Sequence, residues 1–254
     1  MKKKLHPWQA VACFLFLFSC TTTPPSVITH NQTSHPPAAY PEVTFGVFSD
    51  PHLSPAALGT IGPAFREEVR RGQKLIHVSE EILTRVIDIL AADPDCQFVL
   101  IPGDLTRDGE RVGHERMVEL LGRLQQSGKK VYVVPGNHDI LNYNACRFTA
   151  QGSTPVPSVT PEEFRALYLN FGYGEALAED PHSLSYVAEP VPGLWLFGLD
   201  SCTYERNSPS LPTSTGGRFS PETFGWIEHE LMEARRLGKT VIGFMHHGLL
   251  EHFP

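Results

Sequence analysis

Short apolar runs, spaced along most of the chain after residue 42, are the clearest pattern in this sequence. Runs of this length, rich in Val, Ile, Leu and Phe, are typical of buried strands. We predict strands at Val43–Phe48, Phe98–Ile101, Val131–Val134, Ser183–Val187, Leu194–Leu199 and Val241–Phe244. Because helical segments fall between several of them, the order predicts a largely parallel α/β sheet.

Helical periodicity and capping residues mark the segments between these strands. Ser79 is predicted to cap the first helix. Thr160 and Glu163 are predicted to form a capping box, and Ser220 to open the last helix; each of Thr160 and Ser220 is followed by a Pro suited to a first helical turn. The segment His114–Gln126 has helical spacing and stops before Gly128, a residue that suits a helix end. The faces predicted to be buried carry Ile82, Val86, Ile89 and Leu90 in the first helix, and Phe224, Ile227, Leu231 and Leu237 in the last.

Two long stretches, Leu53–His77 and Ile140–His182, depart from this alternation. Long connections at the catalytic face of a sheet usually shape access of substrate. Three arginines in the first stretch, Arg66, Arg70 and Arg71, are candidates for a phosphate contact, but a solvated helix face is the favoured interpretation.

The amino terminus has the pattern of an export signal. Three lysines after Met1 precede an apolar run, Val11–Phe18, that is too short to span a bilayer, so residues 1–19 are predicted to be a signal peptide. Ser19 and Cys20 resemble a lipoprotein signal, in which Cys20 is lipidated; a plain secretory signal or a single anchor, with an incidental Cys, is the alternative. Residues 20–42, rich in Thr, Ser and Pro, are predicted to be a disordered tether. We therefore expect an exported protein, lipid-anchored at the cell membrane or in the periplasm.

Composition narrows the remaining choices. With 254 residues, 41% apolar and 19% charged, the chain has enough material for one core. A net charge of −7 argues against a nucleic-acid partner, which usually demands a basic face. Cys96, Cys146 and Cys202 show no disulfide or zinc spacing, although one disulfide is compatible with export.

Side chains that bind metals follow four of the predicted strands. Asp50 and His52 come after the first strand, Asp104 after the second, Asn137 after the third, and His246 after the last. In an open parallel sheet, sites form beyond the carboxyl ends of the strands. Four such ends carrying Asp, His and Asn predict a polynuclear metal site.

These segments, taken in order, resemble the calcineurin-like metallophosphoesterases. The matching pieces are Asp-x-His, then Gly-Asp, then Gly-Asn-His-Asp, then a His ending an apolar strand, and they extend from about Val43 to the end of the chain. The resemblance implies a β-sandwich flanked by helices (α/β/β/α). It also implies hydrolysis of a phosphomonoester or phosphodiester by two metal ions (Mn, Fe or Zn) and a bridging hydroxide. Gly-Asp-Leu-Thr and the His-His pair look like the cyclic-nucleotide phosphodiesterase-like branch.

The same resemblance assigns roles to the metal-binding residues. Asp50 and His52 would bind the first ion, Asp104 would bridge both, and Asn137 and His246 would bind the second. His247 is expected to face away, because adjacent residues of a strand point in opposite directions.

Two further residues carry the expected proton chemistry. His138 would donate a proton to the leaving group, and Asp139 would accept the other ring proton of His138. Asp200, which ends another strand, is expected to be structural, with a role behind the metal ligands as the alternative.

One piece of the family pattern, a Gly-His-x-His segment with two more ligands, is not found before Pro254. We therefore expect residues 43–254 to be the amino-terminal part of a longer domain, inactive by itself. The rival function is a catalytically silent, lipid-anchored binding module that retains the fold. A nuclease is disfavoured by the acidic balance. Oligomeric state and substrate identity stay open.

Overall fold

The computed structural model describes residues 39–71, 74–211 and 213–249. This part of the chain contains nine strands: β1 (Thr44–Val47), β2 (Cys96–Pro102), β3 (Lys130–Val134), β4 (Cys146–Thr149), β5 (Gly152–Pro155), β6 (Ala178–Glu179), β7 (Tyr186–Val191), β8 (Leu194–Leu199) and β9 (Thr240–Met245). It also contains five α-helices: α1 (Gly62–Arg71), α2 (Ser79–Ala92), α3 (Arg111–Gln126), α4 (Pro161–Leu167) and α5 (Pro221–Arg236). The predicted signal peptide and the tether up to residue 38 lie outside the described residues. Among the helices that are described, none has the length and apolar character needed to span a membrane.

The strands form two main sheets of different kinds. The first is parallel throughout, in the order β1-β2-β3. The second has the order β6-β7-β8-β9, with antiparallel pairing except between β8 and β9. The prediction of a largely parallel sheet is therefore confirmed for the first sheet and wrong for most of the second. Only Pro192 and Gly193 separate β7 from β8, which is far too short for the crossover that parallel neighbours require.

The two sheets pack face to face between layers of helices. Along β8, Leu194 and Leu196 enter the cluster shared with the first sheet, α2 and α3. Trp195 and Phe197 alternate with them and enter a second cluster with Ala234 of α5. Because successive strand residues point to opposite faces, this alternation places α5 on the outer side of the second sheet. The predicted α/β/β/α arrangement is confirmed.

The predicted buried face of α2 is wrong at two of its four positions, while Leu90 packs against the core as predicted. Ile82 and Ile89 are 45% and 56% exposed, whereas Leu83 and Ile87 are buried. Ser79 is not the cap but the first helical residue, and its Oγ accepts a hydrogen bond from the Ser54 N–H (3.0 Å). This bond turns Ser79 inward, and the residues four and eight positions later share its face.

The last helix, α5, shows the same kind of error. Ser220 caps it as predicted, accepting from the Thr223 N–H, but Phe224 is 55% exposed and Leu231 is 43% exposed. Thr223 donates through Oγ1 to Asp180 Oδ2 (2.7 Å), which fixes the rotation of the helix with Thr223 inward. The capping box predicted at Thr160 is confirmed, with both of its hydrogen bonds present.

The two long stretches contain more regular structure than expected. The first includes α1, where Arg70 and Arg71 are exposed and pair with Glu67, which confirms a solvated helix face. The second contains the hairpin β4–β5, α4 and β6. The hairpin was not predicted because its strands are short and polar and lack apolar alternation. Cys96, Cys146 and Cys202 are all free thiols.

Candidate metal centre

The carboxyl ends of four strands from both sheets meet at one edge of the molecule. β1, β2 and β3 are parallel neighbours, so Asp50, Asp104 and Asn137 follow them at the same edge. β9 belongs to the other sheet, and His246 follows it directly. A hydrogen bond between His246 Nδ1 and the Pro102 carbonyl (3.0 Å) joins the end of β9 to the end of β2. The crevice predicted from the strand pattern is therefore present.

Two glycines allow the loops after β2 and β3 to touch. A Cβ on Gly136 would lie 2.1 Å from the Asp104 nitrogen, and a Cβ on Gly103 would lie 2.7 Å from the Gly136 Cα. Gly103 also adopts a φ of 87°, which side chains disfavour. The Gly-Asp and Gly-Asn segments thus need their glycines because Asp104 and Asn137 must approach each other.

The backbone is strained where these side chains are presented. Asp50, His52 and Asp104 have φ values of 56°, 42° and 50°, and Leu141 is the one other non-glycine residue of the described chain with positive φ. Such conformations cost on the order of 1–3 kcal/mol each and persist at functional sites. Three of these four residues are predicted metal ligands, so the strain is concentrated at the site.

The side chains of all five predicted ligands come together. His52 Nε2 lies 3.5 Å from Asp104 Oδ2 and 3.9 Å from Asp50 Oδ1. His246 Nε2 lies 3.6 Å from Asp104 Oδ2 and 2.9 Å from Asn137 Oδ1. Asp104 is thus the member that contacts both histidines, the position that the resemblance gives to a bridging ligand.

Burial sets the protonation of two of these groups. It raises the pKa of Asp104 to about 6, with help from the negative charge of Asp139. Burial, followed by the positive charge of Lys74, lowers the pKa of His52 to about 4. The neutral imidazole, which is the form that binds metals, is therefore the form of His52 at neutral pH.

The donor set fits a metal ion. Ligand atoms of Asp50, Asp104 and His246 all lie within 4.8 Å of one another. Carboxylate oxygen combined with imidazole nitrogen suits Mn, Fe or Zn and does not discriminate among them. Asn137 adds a neutral oxygen next to His246, so the group keeps a moderate negative charge.

His138 lies beside this group but is held by a residue that the sequence did not indicate. Its Nδ1 is 2.8 Å from Asp108 Oδ1, and its ring packs edge-on against His52 with centroids 5.2 Å apart. The prediction that Asp139 accepts a hydrogen bond from the His138 ring is wrong. Asp108 lies in the loop after β2, four residues beyond Asp104. This closeness to Asp104 along the chain is the one feature of the sequence that could have indicated a role for Asp108 at the site.

Asp139 instead fastens the two glycine-containing loops to each other. Its carboxylate accepts from the backbone N–H groups of Leu105, Thr106 and Gly136 at 2.8–3.0 Å, and from the Thr106 hydroxyl. The side chain is fully buried. All its bonds go to the scaffold, so none is left for the His138 ring.

The family model of the calcineurin-like phosphoesterases matches residues 43–251, most of this chain. The chain belongs to this family. No curated protein matches it significantly. Membership establishes a hydrolase fold associated with metal-dependent phosphoester hydrolysis, and it agrees with the Asp and His group at the strand ends.

Behind the family motifs lies a buried ion-pair cluster formed by Arg107, Asp108 and Glu110, called here the paired cluster. Arg107 is 1% exposed and binds Glu110, the Cys146 carbonyl (2.7 Å) and Asp108 Oδ2 (3.3 Å from Nε). Its guanidinium also stacks over Phe148, with 4.5 Å between its carbon and the ring centroid. The cluster connects the β4–β5 hairpin to the loop that carries Asp104 and Asp108.

Other candidate residues have structural surroundings. Asp200 accepts from the N–H groups of Leu184 and Cys202 and from the Tyr204 hydroxyl, which agrees with the structural role expected for it. His247 makes its hydrogen bonds with Ser201 rather than with the predicted ligands. Lys74, which the sequence did not indicate, lies 3.0 Å from His138 Nδ1.

Proposed function

We propose that this member of the family hydrolyses a phosphoester at a dinuclear metal centre, with His138 as the general acid. The observation that carries the proposal is the convergence of the five predicted ligands with a carboxylate-held histidine beside them. Asp50 and His52 would hold one ion, Asn137 and His246 the other, and Asp104 would contact both. Bound metal ions supply Lewis-acid activation of water and neutralise charge on the phosphoryl oxygens.

The Asp108–His138 pair determines which ring nitrogen is available to the substrate. A carboxylate accepts hydrogen bonds, so His138 Nδ1 must donate to Asp108 Oδ1 and Nε2 is left for the reaction. Burial lowers the pKa of His138, but the hydrogen bond to Asp108 and the negative charges of Asp104 and Asp108 together outweigh it, and the net direction is upward. A raised pKa favours the imidazolium, whose Nε2 proton passes to the leaving oxygen as the phosphorus–oxygen bond breaks.

Within the family, the segment Gly103–Thr106 and the pair His246-His247 support a place in the cyclic-nucleotide phosphodiesterase-like branch. This assignment favours diesters over monoesters. Comparing turnover of bis(4-nitrophenyl) phosphate with turnover of 4-nitrophenyl phosphate tests it, and a strong preference for the monoester would contradict it.

The location of the enzyme is a second part of the proposal. Ser19 before Cys20, after a basic and apolar leader, supports export and lipidation at Cys20. Expressed in a bacterium, the wild-type protein should partition into detergent, and Cys20→Ala should release it or block its maturation. Normal processing with unchanged detergent partitioning of the Cys20→Ala protein would contradict lipidation.

The test of the activity is metal-dependent turnover. Tested in a form that also carries the Gly-His-x-His segment of the family pattern, called here the full chain, the chelated protein should hydrolyse an aryl phosphoester only after Mn, Fe or Zn is restored. Asp104→Ala removes the carboxylate that contacts both histidines, and it should lower turnover about a thousandfold or more and release at least one metal ion. Asp95→Ala, which removes an exposed carboxylate, is the matched control and should change neither quantity.

The rival function, a silent binding module, predicts a different result. Such a protein would bind metal through the same residues without turnover of any phosphoester. Wild-type protein that holds two metal ions and hydrolyses neither monoester nor diester would therefore exclude the enzyme and support the module.

A further inference from the structure

Lys74 lies between α1 and α2 and places its ammonium group inside the site. Nζ donates to the Arg107 carbonyl (2.8 Å) and lies 3.0 Å from His138 Nδ1 and 3.4 Å from Nε2. Its side chain is 17% exposed. Removing an ammonium group from most of its water is costly unless other groups compensate its charge. The contacts of Lys74 should therefore show what compensates it.

The ion pair of Lys74 with Asp108 supplies only part of that compensation, because Asp108 has closer partners. Asp108 Oδ1 already accepts from His138 Nδ1 at 2.8 Å, and Asp108 Oδ2 lies 3.3 Å from Arg107 Nε. Lys74 Nζ lies 3.6 Å from Asp108 Oδ1, beyond hydrogen-bond distance. The carboxylate is therefore positioned mainly by His138 and Arg107, with Asn142 Nδ2 at 3.5 Å from Oδ1, and Lys74 adds charge without a direct hydrogen bond.

A second lysine shows what a structural pair looks like in this protein. Lys239, with a similar exposure of 23%, has its Nζ 2.7 Å from Glu189 Oε1. It begins the turn into β9, at the opposite end of that strand from His246. Lys74 thus lacks the close carboxylate that Lys239 has, and the described part of the chain gives Lys74 none closer than Asp108.

The position of Lys74 relative to the predicted ligands indicates a function for its positive charge. Lys74 lines a cleft of about 310 Å³ together with Asp50 and His52. A phosphoester that reaches ions held by these two residues, with its leaving oxygen at His138, therefore lies beside the ammonium group.

We propose that Lys74 is a substrate-binding residue that contacts a phosphoryl oxygen of the bound phosphoester. The inference rests on the proposed function, since it assumes that a phosphoester occupies the site. An ammonium is a compact point charge with three donors, suited to an oxyanion and to the charge that develops on it during hydrolysis. Its contribution should be larger for a ligand with more negative charge, so inorganic phosphate is the appropriate probe.

The experiment compares Lys74→Met with Lys239→Met in the metal-loaded full chain. The measurement is the rise in unfolding temperature with increasing inorganic phosphate, from which the dissociation constant follows by mass action. Lys74→Met should bind phosphate about tenfold or more weakly, the loss expected for a charge-assisted contact, while keeping the wild-type metal content. Lys74→Arg should restore part of the affinity, and Lys239→Met should lower the unfolding temperature without changing phosphate affinity.

The contrary results are distinct from a failure of the proposed function. If the wild-type enzyme hydrolyses phosphoesters and Lys74→Met keeps the wild-type phosphate affinity, the role of Lys74 is structural and the inference is overturned. Loss of metal from Lys74→Met would also overturn it, since Lys74 would then support the ions rather than the phosphate. Absence of turnover in the wild-type protein contradicts the proposed function itself and is measured separately.

Discussion

Two neighbouring groups of acidic side chains, all largely buried except Asp50, are compensated in opposite ways. In the paired cluster, Arg107 contacts both Asp108 and Glu110. In the predicted ligand group, Asp50 and Asp104 have only histidines within ion-pair distance, and within the described residues no Lys or Arg pairs with either. The loop after β2 carries members of both groups within seven residues, so burial alone does not explain the contrast.

The pKa values of Asp104 and Asp108 express the same difference, although burial also raises the pKa of Glu110 despite the charge of Arg107. Burial and then the negative charge of Asp139 raise the pKa of Asp104 to about 6. Burial acts in the same direction on Asp108, but the hydrogen bond from His138 and the charges of Lys74 and Arg107 lower its pKa overall. The paired cluster supplies its own cation, Arg107, and serves as scaffold, whereas the ligand group needs a cation from outside. This contrast is expected for a metal site whose supporting residues are neutralised by their own ion pairs.

The largest expected effect lies at His138, which joins the two groups. His138→Ala should retain both metal ions and lower turnover by about 10²–10⁴, the usual contribution of general acid catalysis. The loss should shrink for leaving groups such as 4-nitrophenolate that need little protonation. Steady-state turnover across a series of leaving groups, with metal analysis of the same samples, measures both effects.

The Asp108→Asn variant is the companion to that experiment. It should reproduce the leaving-group dependence of His138→Ala in weaker form, because it disturbs the ring through Nδ1 without removing it. An equal loss on good and poor leaving groups in both variants would remove His138 from the acid role.

The next effect tests the paired cluster. Glu110→Ala leaves Arg107 buried without its closest carboxylate and should lower the free energy of unfolding by about 3–5 kcal/mol. Glu119→Ala is the matched control, because Glu119 forms an Arg pair of the same i,i+3 spacing at 66% exposure and should cost less than about 1 kcal/mol. Denaturant unfolding compares the two, and similar losses would show that Arg107 does not depend on its pairing.

Asp200 is an intermediate case: three hydrogen-bond donors contact it, and no Lys or Arg among the described residues forms an ion pair with it. Burial raises its pKa to about 6, so the folded protein keeps this proton to higher pH than the unfolded chain does. The stabilising contribution is present below about pH 4 and is lost as pH rises through 6. Relative to Asp200→Asn, the wild-type protein should lose about 3 kcal/mol of unfolding free energy between pH 4 and 7. A pH-independent difference between the two proteins would contradict the raised pKa.

Most of what the sequence predicted rests on apolar periodicity and on strand ends. Both kinds of signal are local, which is why β1, β2, β3, β8 and β9, and the approach of Asp104 to His246, were predictable. The hairpin β4–β5 has no apolar alternation, and the rotations of α2 and α5 depend on the distant bonds Ser54–Ser79 and Asp180–Thr223. The apolar periodicity within a helix contains no information about a hydrogen bond to a residue far away in the sequence.

The chemistry around His138 shows the same limit. His138 was marked by its motif, but its partners Asp108 and Lys74 lie 30 and 64 positions away in loops. Asp139, adjacent in sequence, was the natural choice, yet four donors from the scaffold occupy its carboxylate. Adjacency in a motif therefore identified the residues of the site but not their pairing.

The response of stability to metal tests the central claim most directly. If Asp104 belongs to a group that lacks its own cation, metal-free wild-type protein should be less stable than Asp104→Asn by about 1 kcal/mol or more. Adding Mn at about 100 times its dissociation constant should then raise the unfolding free energy of the wild type by about 2.7 kcal/mol and leave Asp104→Asn nearly unchanged. A metal-free wild type at least as stable as Asp104→Asn, with no response to Mn, Fe or Zn, would contradict the account.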